Sequence, residues 1–306
     1  MRPNTPSLPG AIDSLGLGFA LVARRPYLAL LPIGMAVAMA FLPSWTAPAA
    51  AEGLLRAAGD ALFPRATAPD EALRLSRQVS EGVRLLAQEN LLRLLVWQIP
   101  TLAIPSWGGV VRWEGGVLPL LGLGAALALA GFLVAACYLA PLGHAIARQP
   151  VPLAPAILRG CLSLLGYRFL LFALGGVGVG ATALMVAATA LFSVFLALLL
   201  MGLAVGLALL VLFHLFLTEE AIFVDRVGPV QGMLRSARVV FAHFWAALRF
   251  WLLAALIILG LRLLLERFTG SPLTALVASA LYAFLATGVT AGGMVFYRER
   301  SARLPA

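Results

Sequence analysis

The chain has 306 residues, of which 62% are hydrophobic and 11% charged, with a mean hydropathy of +0.98, and this excludes an ordinary water-soluble domain. Its formal charge of +9 comes entirely from arginine, since the sequence contains no lysine. Nucleic-acid binding would need a soluble basic module that is missing, so the expected partner of these arginines is anionic lipid. Cys137 and Cys161 are isolated, without metal or redox spacing.

Near the start, Ile12, Leu15, Phe19 and Val22 recur at helical spacing and end at Arg24-Arg25-Pro26. The first span is predicted from Tyr27 to about Trp45. It reads as an uncleaved anchor, because the apolar run exceeds the roughly 7–15 residues of a signal core. Residues 46–116 form the polar part of the chain, with seven arginines and seven acidic residues, and are assigned as an extracytoplasmic helical insertion. A helix is predicted over Asp70–Trp97, with Asp70 and Glu71 at its positive end. It grades into Leu91–Trp107, where Arg93, Gln98, Pro100 and Pro105 argue against a span. Trp97 and Trp107 point instead to an interfacial or re-entrant segment.

The second span runs from Leu118 to about His144, with Pro141 near its exit. An amphipathic stretch follows, in which Ile157, Leu158, Cys161, Leu162, Leu164 and Leu165 share one face opposite Arg159 and Ser163. Residues 169–217 carry no charge, which predicts a hairpin of two spans turning near Leu191 to Ser193. The best-marked amphipathic helix then starts at Gly228-Pro229, with proline where its missing N–H costs nothing. On a wheel of about 100° per residue, Val230, Met233, Leu234, Ala237, Val240, Phe241, Phe244 and Trp245 fall within roughly 140°. Gln231, Arg235 and Arg238 lie on one flank, Ser236 and His243 on the other, and Val239 is an exception. A fifth span covers Phe244 to Leu265, a turn Phe268 to Pro272, and a sixth span Leu273 to Tyr297.

With the N-terminus inside, thirteen arginines face five acids on the cytoplasmic side, which fits the positive-inside rule for short loops. The expected fold is therefore an all-α integral membrane protein, one transmembrane domain over 1–306. It has six transmembrane helices with cytoplasmic amphipathic surface helices, in a bacterial inner membrane with both termini cytoplasmic. The surface helices suggest a threefold repeat: Ile12-Asp13-Ser14, Leu158-Arg159-Gly160 and Leu234-Arg235-Ser236 each precede an odd-numbered span.

Residues 219–249 carry an acidic residue (Asp225), Gly228-Pro229, Gly232-Met-Leu-Arg235-Ser236 and His243-Phe244-Trp245. Tyr297-Arg298-Glu299-Arg300 closes the last span, and Pro141 with Gly143 the second. This pattern resembles the membrane-domain family found fused to some glycerophosphodiester phosphodiesterases, with its stand-alone bacterial relatives. The resemblance implies a six-span membrane fold. It does not imply phosphodiesterase activity, because the soluble catalytic barrel is absent.

His144, His214 and His243 are placed near the cytoplasmic ends of spans, close to Glu219, Glu220 and Asp225. A metal or proton-handling site is one reading; interfacial groups pairing with Arg235 and Arg238 is the preferred one, since ligand spacing is absent. Arg262 and Glu266 form an i,i+4 snorkelling pair. Ser279, Tyr282, Thr287 and Thr290 cluster on one side of the sixth span, as a packing face or a polar path, with Gly288-xxx-Gly292 on the other. No catalytic set, cofactor motif or metal site is recognised, and the lean is toward no enzyme activity. The expected function is lipid or partner binding through a rim of Arg159, Arg226, Arg235, Arg238 and His243. Partners are membrane lipids, with a protein partner or a homo-oligomer also open. The alternative is a transporter or permease for a lipid or small metabolite.

Overall fold

A computed structural model describes residues 8–47, 90–102, 104, 106–147, 152–190 and 192–304. Most of the predicted helix over Asp70–Trp97 lies outside the described residues. Its last part, from Asn90, is not α-helical: Leu91–Leu95 is a short 3₁₀ turn capped by the Asn90 side chain.

Almost every described residue outside the connections is helical. The helices are α1 (Ala11–Arg24), α2 (Leu30–Phe41), α3 (Val117–Ile146), α4 (Leu153–Ala190), α5 (Val194–His214), α6 (Thr218–Asp225), α7 (Pro229–Ala242), α8 (Phe244–Glu266) and α9 (Pro272–Ser301). Five runs are long and apolar enough to cross a membrane: α3, α4, α5 with α6, α8 and α9. A sixth arises if the bent pair Ala11–Arg24 and Pro26–Phe41 counts as one; its halves turn by 98°.

That bend has a local cause. Pro26 disfavours helical geometry in Arg25, whose backbone takes φ −134° and ψ 66°. The first span is also shorter than Tyr27–Trp45. Pro43 stops α2, and Trp45 enters a strand, β1 (Ser44–Thr46), that pairs in parallel with β2 (Val110–Arg112), Ser44 opposite Val110. This small ribbon is unanticipated by the hydropathy pattern.

α4 runs without a break from Leu153 to Ala190, so the predicted second surface helix and the third span are one helix. No proline interrupts Gly166-Tyr167-Arg168, and a lone glycine costs a helix only about 1 kcal/mol. The hairpin turn falls where expected: Ser193 caps α5 through the Leu196 amide at 3.3 Å. Between α5 and α6 the helix is interrupted at Leu215–Leu217. Ser236 on α7 repairs the break, donating to the His214 carbonyl (2.7 Å) and accepting from the Leu217 amide (3.1 Å). Those are the orphan groups that a helix end leaves.

The chain divides into two compact units, 1–29 with 136–260 and 285–306, and 30–135 with 261–284. In the first unit α1 packs on the C-terminal part of α9, backbone against backbone. A Cβ on Gly18 would stand 2.5 Å from the Gly288 carbonyl oxygen and 2.6 Å from the Gly292 Cα. Gly288 in turn faces Phe19, and Gly292 faces Leu15, so the small face of the last span is the seat of α1. An aromatic cluster of Phe213, Phe216, Phe244 and Trp251 joins α5 to α8.

In the second unit, the described residues among 90–106 form an irregular packed segment and no span. Ile99, Leu102 and Ile104 are buried, and Trp97 meets Phe132 while Trp107 meets Phe41, with ring centroids 5.7 and 5.9 Å apart. The glycine at position 131 gives the Leu94 carbonyl room to approach α3.

Candidate functional site

α7 explains the Val239 exception. The side that packs on the protein is Gly232, Ser236, Val239 and Val240, with Val239 fully buried. The apolar stripe read from the wheel is divided: Val240 at its edge is buried, whereas Phe241 is 82% exposed and Trp245 70%, with Val230 and Leu234 exposed beside them. Gln231, Arg235 and Arg238 form a third, exposed side. At about 100° per residue from Val230, the exposed apolar side centres near roughly 30°, the polar side near roughly 105° and the buried side near roughly 225°. Such a helix can meet protein, hydrocarbon and polar headgroups at once.

Around α7 the predicted charges are distributed unequally. Asp225 accepts from Arg235 at 2.5 Å and from the Tyr297 hydroxyl at 2.6 Å. That bond to Asp225 holds the Arg235 guanidinium even more firmly in its charged form. Glu219 pairs with Arg168 rather than with Arg238. Arg298 bonds Glu299 and the Ile146 carbonyl at the end of α3, the latter at 3.0 Å. Arg300 is buried: its guanidinium stacks 3.6 Å over Phe296 and donates to the Pro9 carbonyl at 3.0 Å. Of the expected rim, Arg235 is thus tied to Asp225 while Arg159 and Arg238 stay exposed, and Arg168, Arg298 and Arg300, outside that rim, hold the fold together.

The histidines do not converge. His214 Nδ1 lies 2.8 Å from the Leu210 carbonyl, one turn back on α5. His243 terminates α7, and partial burial holds its imidazole below its ordinary value, with Arg300 and Arg303 pushing the same way. Among the described residues, no group of three His, Cys, Asp or Glu side chains is placed to hold a metal ion.

His144, which lacks a partner of this kind, opens the most distinctive site. A cavity of about 60 Å³ is bounded by the end of α3, the first turns of α4 and the end of α6, with His144, Arg159 and Arg226 in its wall. Two glycines make the arrangement possible. A Cβ on Gly143 would meet the Phe223 carbonyl oxygen at 2.6 Å, and one on Gly160 would meet the Phe223 ring. Phe223 thus wedges between α3 and α4 and fixes α6 against both. Arg226 follows in the left-handed region, φ 56° and ψ 41°, the one non-glycine residue with positive φ among the described residues. A left-handed arginine carries a cost of roughly 1–2 kcal/mol. His144 Nδ1 is buried and makes no hydrogen bond.

The hydroxyl side of α9 is closed. Ser279, Tyr282 and Thr287 are buried, and the Tyr138 hydroxyl donates to Thr287 Oγ1 at 3.3 Å. Thr290 returns its hydroxyl to the Ala286 carbonyl. These contacts are those of helix packing. A wider recess of about 480 Å³ occurs elsewhere, in the second unit, between α2 and residues 90–106, with Asn90, Arg93 and Arg262 in its wall. Arg262 there bonds Glu266 at 2.8 Å, the expected i,i+4 pair. The hydropathy pattern could not locate either cavity, since both are framed by elements distant in sequence.

Comparison with protein families, characterised proteins and solved structures finds no match to this chain.

Proposed function

We propose that the chain is a six-span protein of the bacterial inner membrane that acts without catalysis, binding anionic lipid at its cytoplasmic rim. The observation that carries this is the three-sided α7, with exposed Phe241 and Trp245 beside exposed Arg238. Exposed aromatics prefer the boundary between hydrocarbon and headgroups, and each arginine near an anionic surface contributes about 1 kcal/mol. The sixth span in this reading is the bent α1–α2 pair, and both termini lie in the cytoplasm. The closed hydroxyl side of α9 supports packing over a polar path, so transport takes second place. The test is thermal unfolding of the purified chain in maltoside detergent with added phosphatidylglycerol or phosphatidylcholine. Phosphatidylglycerol should stabilise the protein more, and Arg238→Gln should reduce the difference. Equal stabilisation by the two lipids would refute the proposal.

A further inference from the structure

We infer that the cavity between α3, α4 and α6 is a binding site for a phosphate group, and that the group is the headgroup of an anionic phospholipid. The inference rests on the reading that this end of the molecule meets anionic lipid, and it adds a discrete site to a diffuse surface. Several features converge there. Arg159 and Arg226 bring two permanent positive charges to the wall, and among the described residues that line it none is acidic. Guanidinium groups suit phosphate because their donors match its oxygens in pairs.

The first turn of α4 also faces the cavity through Pro155 and Ala156. That turn has no acidic residue to neutralise it, and α4 is 38 residues long. Pro152 and Pro155 have no N–H, so this turn contributes the partial positive charge of the helix end rather than a set of amide donors. His144 Nδ1 is buried beside this space without a hydrogen bond, a state that buried polar atoms seldom keep unless a ligand or water completes it.

The size agrees as well. One water needs on the order of 10–15 Å³ of such space, so about 60 Å³ suits a group of several oxygens and excludes a sugar or a nucleoside. Finally, Arg226 occupies a backbone conformation that glycine or asparagine would adopt more easily. That backbone brings the Arg226 side chain to the wall of the cavity.

The experiment is native mass spectrometry of the full chain in detergent, titrated with phosphatidic acid or with diacylglycerol of the same acyl chains. The two lipids differ only in the phosphate. One phosphatidic acid should bind per chain, diacylglycerol should not compete, and millimolar inorganic phosphate should displace it. Arg159→Gln should weaken binding about 10–100-fold, the loss expected for one charge-assisted contact. Arg226→Asn keeps the left-handed turn accessible and should weaken binding similarly, with unchanged thermal stability as the check on folding. Arg238→Gln, outside the cavity, should leave this stoichiometric site intact.

Equal binding of diacylglycerol, or wild-type affinity in both Arg159→Gln and Arg226→Asn, would overturn the site. Saturable binding of inorganic phosphate by a chain that binds no phosphatidic acid at all would overturn the lipid assignment. Loss of the site with a persisting phosphatidylglycerol preference would leave the broader rim proposal standing.

Discussion

The contact between α1 and α9 gives the sharpest mechanical prediction. Gly18→Ala adds one methyl group at a position where the neighbouring atoms are backbone and cannot rotate away. The new Cβ would stand closest to the Gly292 amide nitrogen and 2.5 Å from the Gly288 carbonyl oxygen, whereas ordinary contact starts at 3.4 Å, so the helices must separate by about 1 Å. A gap of 0.5–1 Å forfeits about a quarter to a half of each dispersion contact along the seam. The seam includes Ser14, Leu15 and Val22, all buried. Because an undocked α1 would still find lipid or detergent, the loss is packing rather than hydration. An overpacked core typically loses 1–3 kcal/mol, and about that much is expected here. The control lies two residues away: a Cβ on Gly16 meets nothing within 4 Å. Gly16→Ala should therefore stabilise by about 0.5–1 kcal/mol through helix propensity. Thermal unfolding in detergent, followed by tryptophan fluorescence and size-exclusion monodispersity, compares the two. Wild-type stability in Gly18→Ala, or greater damage from Gly16→Ala, would refute the close crossing.

Three further outcomes are expected. Ser236→Ala should destabilise by about 1–3 kcal/mol, because it leaves the His214 carbonyl and the Leu217 amide without their partner; Ser236→Thr should recover part of the loss. His243 has a lowered pKa in the fold, so the unfolded chain binds the proton more readily; stability is complete above about pH 6.5 and declines as the pH falls below it. His243→Asn should flatten that part of the melting-temperature profile from pH 8 to 5.5, and an unchanged slope would count against the assignment. Tyr297→Phe should loosen the Asp225–Arg235 pair by removing the 2.6 Å hydroxyl contact, read as faster amide exchange at the start of α7.

The sequence made the helices long and apolar enough to cross a membrane legible because length and hydropathy alone specify them, and Ser193 and Pro229 mark helix starts as their chemistry requires. The small face of Gly288 and Gly292 was equally readable, although its partner, Gly18, was not. Sequence cannot say which helix fills a groove. The continuity of α4 through Tyr167 escaped notice because an amphipathic stretch and a span differ in surroundings, not in backbone. The β1–β2 ribbon pairs residues 44–46 with 110–112, a separation that no local pattern reveals. For the site, Arg159 and Arg226 were recognised as rim residues. Their association with His144 depends on Gly143 and Gly160 admitting Phe223, a packing event among three separate helices. The wheel of α7 gave an apolar stripe expected to lie on a membrane surface; Val240 at its edge is instead buried with Gly232, Ser236 and Val239, and Val230, Leu234 and Phe241 are exposed.

The placement of α7 is the claim on which the rest depends. With Cys137 and Cys161 replaced by serine, single cysteines at Arg238 and Val110 would be exposed to a membrane-impermeant maleimide in intact and lysed spheroplasts. Arg238→Cys should react only after lysis and Val110→Cys before it. Labelling of Arg238→Cys in intact spheroplasts would contradict the account.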